Sequence, residues 1–278
     1  MSATVNSKHT GPDGKTKAGL DGFARDRVRI YPAFYQRPEE LSDEYREYLI
    51  KVLTVQLSSE YQDRSRRPIA PSAEWIEDVG IQLRGETEHG LGLVDLLRSL
   101  GVDPMPYVEK AQNASPDARL LDVFRKIIRF QVEGTATSEE LWISVGIGRW
   151  LVERGGGYQS LGAIGSNYLP WASWSARNFK DEGFEHSNSG KLIAKAAIAR
   201  GHAHTVQMMF TEIWPYAVDM FGQNDSSNIR KFLELGIKTV GNREVRLAWL
   251  AHIKAEAEEL GVELPRDPLK GHRGDYSN

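Results

Sequence analysis

The sequence predicts an all-α protein, an up-and-down bundle of long helices extended by additional C-terminal helices. Three observations lead there. Apolar residues recur with helical spacing almost throughout, and few runs alternate with the period of two that a strand requires. Several helical stretches span about 24 residues or more, roughly 36 Å at 1.5 Å per residue. Long helices joined by short connections form bundles.

The elements follow in order. "LSDEYREYLIKVLTVQLSSEYQDR" opens on Ser42 as a cap followed by acids and predicts a helix to about residue 64. "PSAEWIEDVGIQLRGETEHGLGLVDLLRSLG" predicts a second, starting after Pro71 and stopping near Gly101. "SPDARLLDVFRKIIRFQVEG" reads as a shorter amphipathic helix. "TSEELWISVGIGRWLVERGGGYQSLGAIG" and "LPWASWSARNFKDEGFEHSNSGKLIAKAAIARG" supply two more long ones, and helical stretches around 203–221, 226–239 and 242–260 complete the chain.

Composition narrows the function classes. The 278 residues are 40% hydrophobic and 26% charged, as in an ordinary globular protein, with a net charge of -3 that gives no basic surplus for nucleic acid. With no cysteine, disulfides, thiolate metal sites, iron–sulfur clusters and cysteine nucleophiles are excluded. No run approaches the roughly 20 apolar residues of a membrane span. Residues 1–27 read as a flexible polar lead without a secretory apolar core, 28–265 as the working domain and 266–278 as a flexible tail; a cytoplasmic location is expected.

The chemistry sits where acids enter the apolar faces. In the first long helix Leu49, Leu53, Gln56 and Glu60 share one face; in the second, Val79, Leu83, Glu86, Gly90, Leu93 and Leu97 do, with His89 one turn from Glu86. Ile143, Ile147, Trp150, Glu153, Gly157 and Ile164 line the third, and Phe179, Glu182, His186, Ile193 and Ala197 the fourth, with Glu185 beside them. Glutamate thus recurs inward on four helices, followed twice by histidine. One such glutamate could simply pair with an arginine such as Arg84 or Arg149. Four uncompensated buried carboxylates would cost several kcal/mol each. Two divalent cations neutralise them, and two imidazoles complete a di-iron or di-manganese carboxylate set of the kind ferritin-like bundles hold.

Further stretches resemble a known family, the catalytic subunits of the phenylacetyl-CoA ring 1,2-epoxidase among the ferritin-like phenylacetate-catabolism proteins. "EIWPYAVDMFGQND" (212–225) is similar to that family's tryptophan–proline helix ending in Phe-Gly-x-Asn-Asp, and "GNREVRLAWLAHIKAEAEELGVELPRDP" (241–268) to its late helix. "GETEHGLGL" resembles its Asp-Glu-x-x-His-Gly segment and "RWLVERG" its third-helix acid, so that the resemblance covers about residues 45–268. It implies a ferritin-like bundle with two irons that activate O2, held by Glu60, Glu86, His89, Glu153, Glu182 and a second histidine. The family spacing would place that histidine at 185, where this chain has Glu185 followed by His186. A π-bulge absorbs one extra helical residue, and four carboxylates with two histidines leave a reduced di-iron site neutral. His186 is the expected ligand, with Glu185 the alternative.

These readings predict a non-haem di-iron oxygenase acting on an aromatic or acyl-CoA-type substrate, with no catalytic residues beyond the metal ligands. No flavin or iron–sulfur motif is present, so a separate reductase or electron-transfer protein is implied as partner, and a structural partner subunit or a homo-oligomer is compatible. Alternatives on the same bundle are a stand-alone di-iron N-oxygenase or desaturase, or a non-catalytic structural subunit of a multicomponent oxygenase. Neither nucleic acid nor membrane is expected as partner. Three glycines in "ERGGGYQS" suggest substrate room, close helix approach or a break. Trp142, Trp150, Trp171, Trp174 and Trp214 suit core packing more than a substrate pocket. His202 and His204 read as caps or surface residues, and "DRSRR" (63–67) and Lys238 as solvated charges or phosphate contacts.

Overall fold

The computed structural model describes residues 34–62, 76–113 and 137–266. The lead at 1–27, "DRSRR", the amphipathic stretch at 115–134 and the tail beyond 266 lie outside them. Among the described residues there is no strand, and Tyr35 and Tyr168 form an isolated bridge. No helix among them is long and apolar enough to cross a membrane.

Helix α1 (Asp43–Gln62) starts where Ser42 Oγ accepts a hydrogen bond from the Tyr45 amide at 3.2 Å. Helix α2 (Ile76–Ser99) packs along it, and α3 (Met105–Asn113) closes its other side. The third long helix is capped by Thr137, whose hydroxyl accepts from the Glu140 amide while the Glu140 carboxylate accepts from the Thr137 amide. It runs as α4 (Ser138–Gly148), a π-helical segment (Arg149–Glu153) and α5 (Arg154–Leu161). The fourth has the same construction: α6 (Leu169–Lys180), a π-helical segment (Asp181–His186) and α7 (Ser187–Ala199). Helices α8 (Ala203–Asp219), α9 (Ser227–Leu235) and α10 (Asn242–Leu260) follow. Helix α9 is shorter than the predicted 226–239, because Gly236 adopts φ +80° and turns the chain out of the helix.

The long helices pack α1 on α2, α2 on α6, α5 on α6 and α4 on α7. Two apolar cores result. One joins Leu49, Leu53 and Leu57 to Leu93, Leu97 and Trp174; the other joins Ile147 and Trp150 to Phe210, Trp214 and Trp249 of the C-terminal helices. All five tryptophans predicted as packing residues are buried. The apolar row predicted on α2 differs at one end: Leu83 is 43% exposed, and Gln82 takes the inward position. Together these features make an all-α, ferritin-like bundle with additional C-terminal helices.

The C-terminal motifs meet at Arg246, which is buried. Its guanidinium donates to the carbonyls of Val218 and Gly222 and to Asn224 Oδ1, fastening the "FGQND" turn to α10.

Candidate metal centre

The four long helices bring the six predicted side chains into two groups of three. Glu60, His89 and Glu182 form one; Glu86, Glu153 and His186 form the other. Within each group, one donor atom per residue lies within 4.8 Å of the others. The glutamates of the two Glu-x-x-His-like sets are exchanged: Glu182 stands with His89, and Glu86 with His186. This crossing knits the groups together, and the His89 and His186 rings lie 6.2 Å apart. Glu60, His89, Glu182 and His186 are buried, whereas Glu86 and Glu153 are half-buried.

His89, Glu60 and Glu153 have local support. His89 Nε2 lies 3.2 Å from Asp181 Oδ2, so its N–H donates there, and in the neutral ring that a metal would require Nδ1 is left as the acceptor. That Nδ1 is 3.5 Å from Glu182 Oε1 and 3.9 Å from Glu60 Oε2. Trp174 Nε1 donates to the His89 carbonyl at 3.1 Å, and Gln56 Nε2 donates to Glu60 Oε1 at 3.0 Å. In the second group His186 Nδ1 is 3.7 Å from Glu153 Oε2, while Gln82 Nε2 donates to Glu153 Oε1. Glu185 points elsewhere: it is exposed and pairs with Lys180 at 2.8 Å.

The donors fit a divalent cation. Glu60 Oε2, His89 Nδ1 and His186 Nδ1 are buried, and among the described residues none has a hydrogen-bond partner. Buried polar atoms in that state require an explanation, and a cation between them supplies one. The electrostatics agree. Burial, followed by the charges of Glu182 and Glu86, pushes the Glu60 carboxyl well above its usual range. Burial works to lower the His89 imidazole, yet the neighbouring Glu182 and Glu60 carboxylates raise it to about 9. Without a cation the cluster therefore retains protons that a metal would displace. Burial lowers the His186 imidazole, which favours a neutral donor. Carboxylate and imidazole donors suit iron and manganese.

The π-helical segments shape this site. The one at Asp181–His186 takes up the residue that separates Glu182 from His186 by four, leaving both inward and Glu185 outward. The second, at Arg149–Glu153, was not anticipated, because the spacing of Trp150, Glu153 and Gly157 fits an ordinary helical face. The glycines after it serve close helix approach. A Cβ at Gly157 would lie 2.3 Å from Gly183 Cα, and one at Gly156 2.3 Å from Glu182 Oε2.

Sequence reasoning also missed the buried charges behind the cluster. Arg154 donates to the Gly183 carbonyl in the π-helical segment at 2.8 Å, to Asn188 Oδ1 at 2.8 Å and to Glu256 Oε1 at 2.9 Å. Trp150 Nε1 donates to Glu256 Oε2 at 2.7 Å, and His252 joins Glu256 to the Tyr158 hydroxyl. Burial would raise the Glu256 carboxyl, but His252, Arg154 and Trp150 hold it down at about 2. Arg149 donates to Gln82 Oε1. His202 is the N-cap residue of α8 without a side-chain cap bond and lies 3.5 Å from Glu139; His204 is exposed. Lys238 is half-buried, and burial lowers its amine to about 8.

No curated protein matches the chain. A family model described as phenylacetic acid catabolic protein matches residues 121–278, more than half of the chain. The matched segment contains Glu153, Glu182, His186 and both C-terminal motifs; Glu60, Glu86 and His89 precede it. The chain belongs to the phenylacetic acid catabolic protein family.

Proposed function

We propose that the chain is a non-haem di-iron oxygenase that epoxidises or hydroxylates an aromatic or acyl-CoA-type substrate, in the manner of a phenylacetyl-CoA epoxidase catalytic subunit. The observation that carries this reading is the pair of crossed triads, in which Glu60 Oε2, His89 Nδ1 and His186 Nδ1 are buried without a hydrogen-bond partner among the described residues. Glu60, His89 and Glu182 would hold one iron and Glu86, Glu153 and His186 the other. Bound ferrous ions supply the electrons and coordination positions needed to activate O2. The protein's part is to orient and exclude: Asp181 fixes the His89 tautomer, Gln56 steadies Glu60, and the buried donors keep bulk water from the inner triad. The family supports a role in phenylacetate catabolism and hence an aromatic thioester as first substrate to test. A separate reductase is the expected electron source, and a cytoplasmic location fits this chemistry.

Retention of six donors speaks against a non-catalytic subunit. The test is mass spectrometry of products formed from phenylacetyl-CoA, other acyl-CoAs and free aromatic acids, with iron-loaded protein, a reductant and 18O2. One 18O atom in a ring or chain product supports the oxygenase. Product formed without label, or the same labelled product from Glu86→Ala protein, contradicts it.

A further inference from the structure

We infer that Gln82 and Arg149 act as a positioning pair that sets metal affinity at the Glu86–Glu153–His186 position alone; this rests on the two-metal reading above. The two residues come from different long helices and meet behind one ligand. Gln82 Nε2 donates to Glu153 Oε1, and the Gln82 Oε1 atom is in turn fixed by Arg149 Nη2. An amide can be turned end for end, but this one has a single workable orientation. Its oxygen must meet the guanidinium, so its NH2 must face the carboxylate.

Arg149 is itself held. It is buried, its Nη1 donates to Ser189 Oγ at 3.4 Å, and its guanidinium carbon lies 5.3 Å from the Trp142 ring centroid. The chain Arg149–Gln82–Glu153 therefore engages one carboxylate oxygen, Oε1, and directs Oε2 toward His186 Nδ1, 3.7 Å away. Glu153 would thus be offered to a metal with its Oε1 already engaged by Gln82. Among the described residues, none of Arg149, Gln82 and Glu153 belongs to the other triad. Its supports are Gln56 on Glu60 and Asp181 on His89, carried by α1 and by the π-helical segment of the fourth long helix. Outer-sphere partners of metal ligands typically contribute about 10–100-fold in affinity, and here that contribution falls on one position of two.

The test is anaerobic titration with Fe(II), and in parallel with Co(II) read by its ligand-field absorption, on the full chain. Wild type, Gln82→Leu, Glu60→Ala and the double variant Glu60→Ala/Gln82→Leu are compared. Gln82→Leu should weaken one binding step by about 10–100-fold and leave the other unchanged, which also reports an intact fold. In the Glu60→Ala background the remaining metal occupies the Glu86–Glu153–His186 position, and adding Gln82→Leu should weaken that step by the same factor and alter its absorption. Two unchanged steps in Gln82→Leu overturn the inference and leave the di-iron reading standing. Equal weakening of both steps overturns it in favour of a general packing role. Wild-type protein that takes up no metal overturns both.

Discussion

A methyl group at Gly156 is a small change that reaches the site. Its carbon would stand 2.3 Å from Glu182 Oε2, well inside contact distance, so the carboxylate must move. Alanine gains about 1 kcal/mol of helix propensity over glycine, so the helix itself should persist. Gly156→Ala is therefore expected to fold and to lose roughly 10–100-fold in metal affinity at the Glu60–His89–Glu182 position, measured by anaerobic titration. Asp181→Asn should weaken the same position by a similar factor, because an amide can present its NH2 to His89 and reverse the tautomer. The six clustered side chains could be picked out in the sequence because each lies on a helical face together with apolar residues. Their supports could not. Gln82 and Arg154 are polar residues whose partners lie 71 and 102 positions away, and only tertiary packing joins them.

At the scale of the element, the π-helical segment at Asp181–His186 makes a prediction that an α-helix would not. If Glu185 is the extra residue, deleting it should let the segment close to α-helical geometry with glutamate and histidine three apart and still inward. The deletion protein should keep both metal-binding steps. Loss of both would show that the segment, not the register, is what the site needs. Point substitutions separate the two neighbours: His186→Ala should remove one step, and Glu185→Gln, at an exposed side chain paired with Lys180, should remove none. The irregularity here was legible only against the family resemblance, which places histidine three residues after glutamate where this chain has four. Its counterpart at Arg149–Glu153 left no trace in spacing, and on α2 periodicity chose Leu83 over Gln82 because hydrophobicity was the only guide.

Across the whole molecule, the buried Arg154–Glu256 pair ties α10 to the π-helical segment at Asp181–His186 through the Gly183 carbonyl. A carboxyl held at about 2 rather than its ordinary 4.5 contributes roughly 3 kcal/mol to stability. Because the folded value is the lower one, that contribution is present above about pH 4.5 and is lost as pH falls toward 2. Glu256→Gln should cost on the order of 3 kcal/mol at neutral pH and flatten the acid limb of a pH–stability curve followed by urea denaturation. An unchanged acid limb would remove Glu256 from this role. The bundle itself was readable from helix period and length, since packing at this scale follows apolar faces. The central claim is that these helices exist to hold two metals. Anaerobic reconstitution of the full chain with Fe(II), followed by removal of loose metal and Mössbauer spectroscopy of the 57Fe-loaded protein, tests it most directly. The account predicts about two high-spin ferrous ions per chain in nitrogen and oxygen coordination, falling sharply in Glu86→Ala. Retention of no iron, or equal retention by Glu86→Ala, would contradict it.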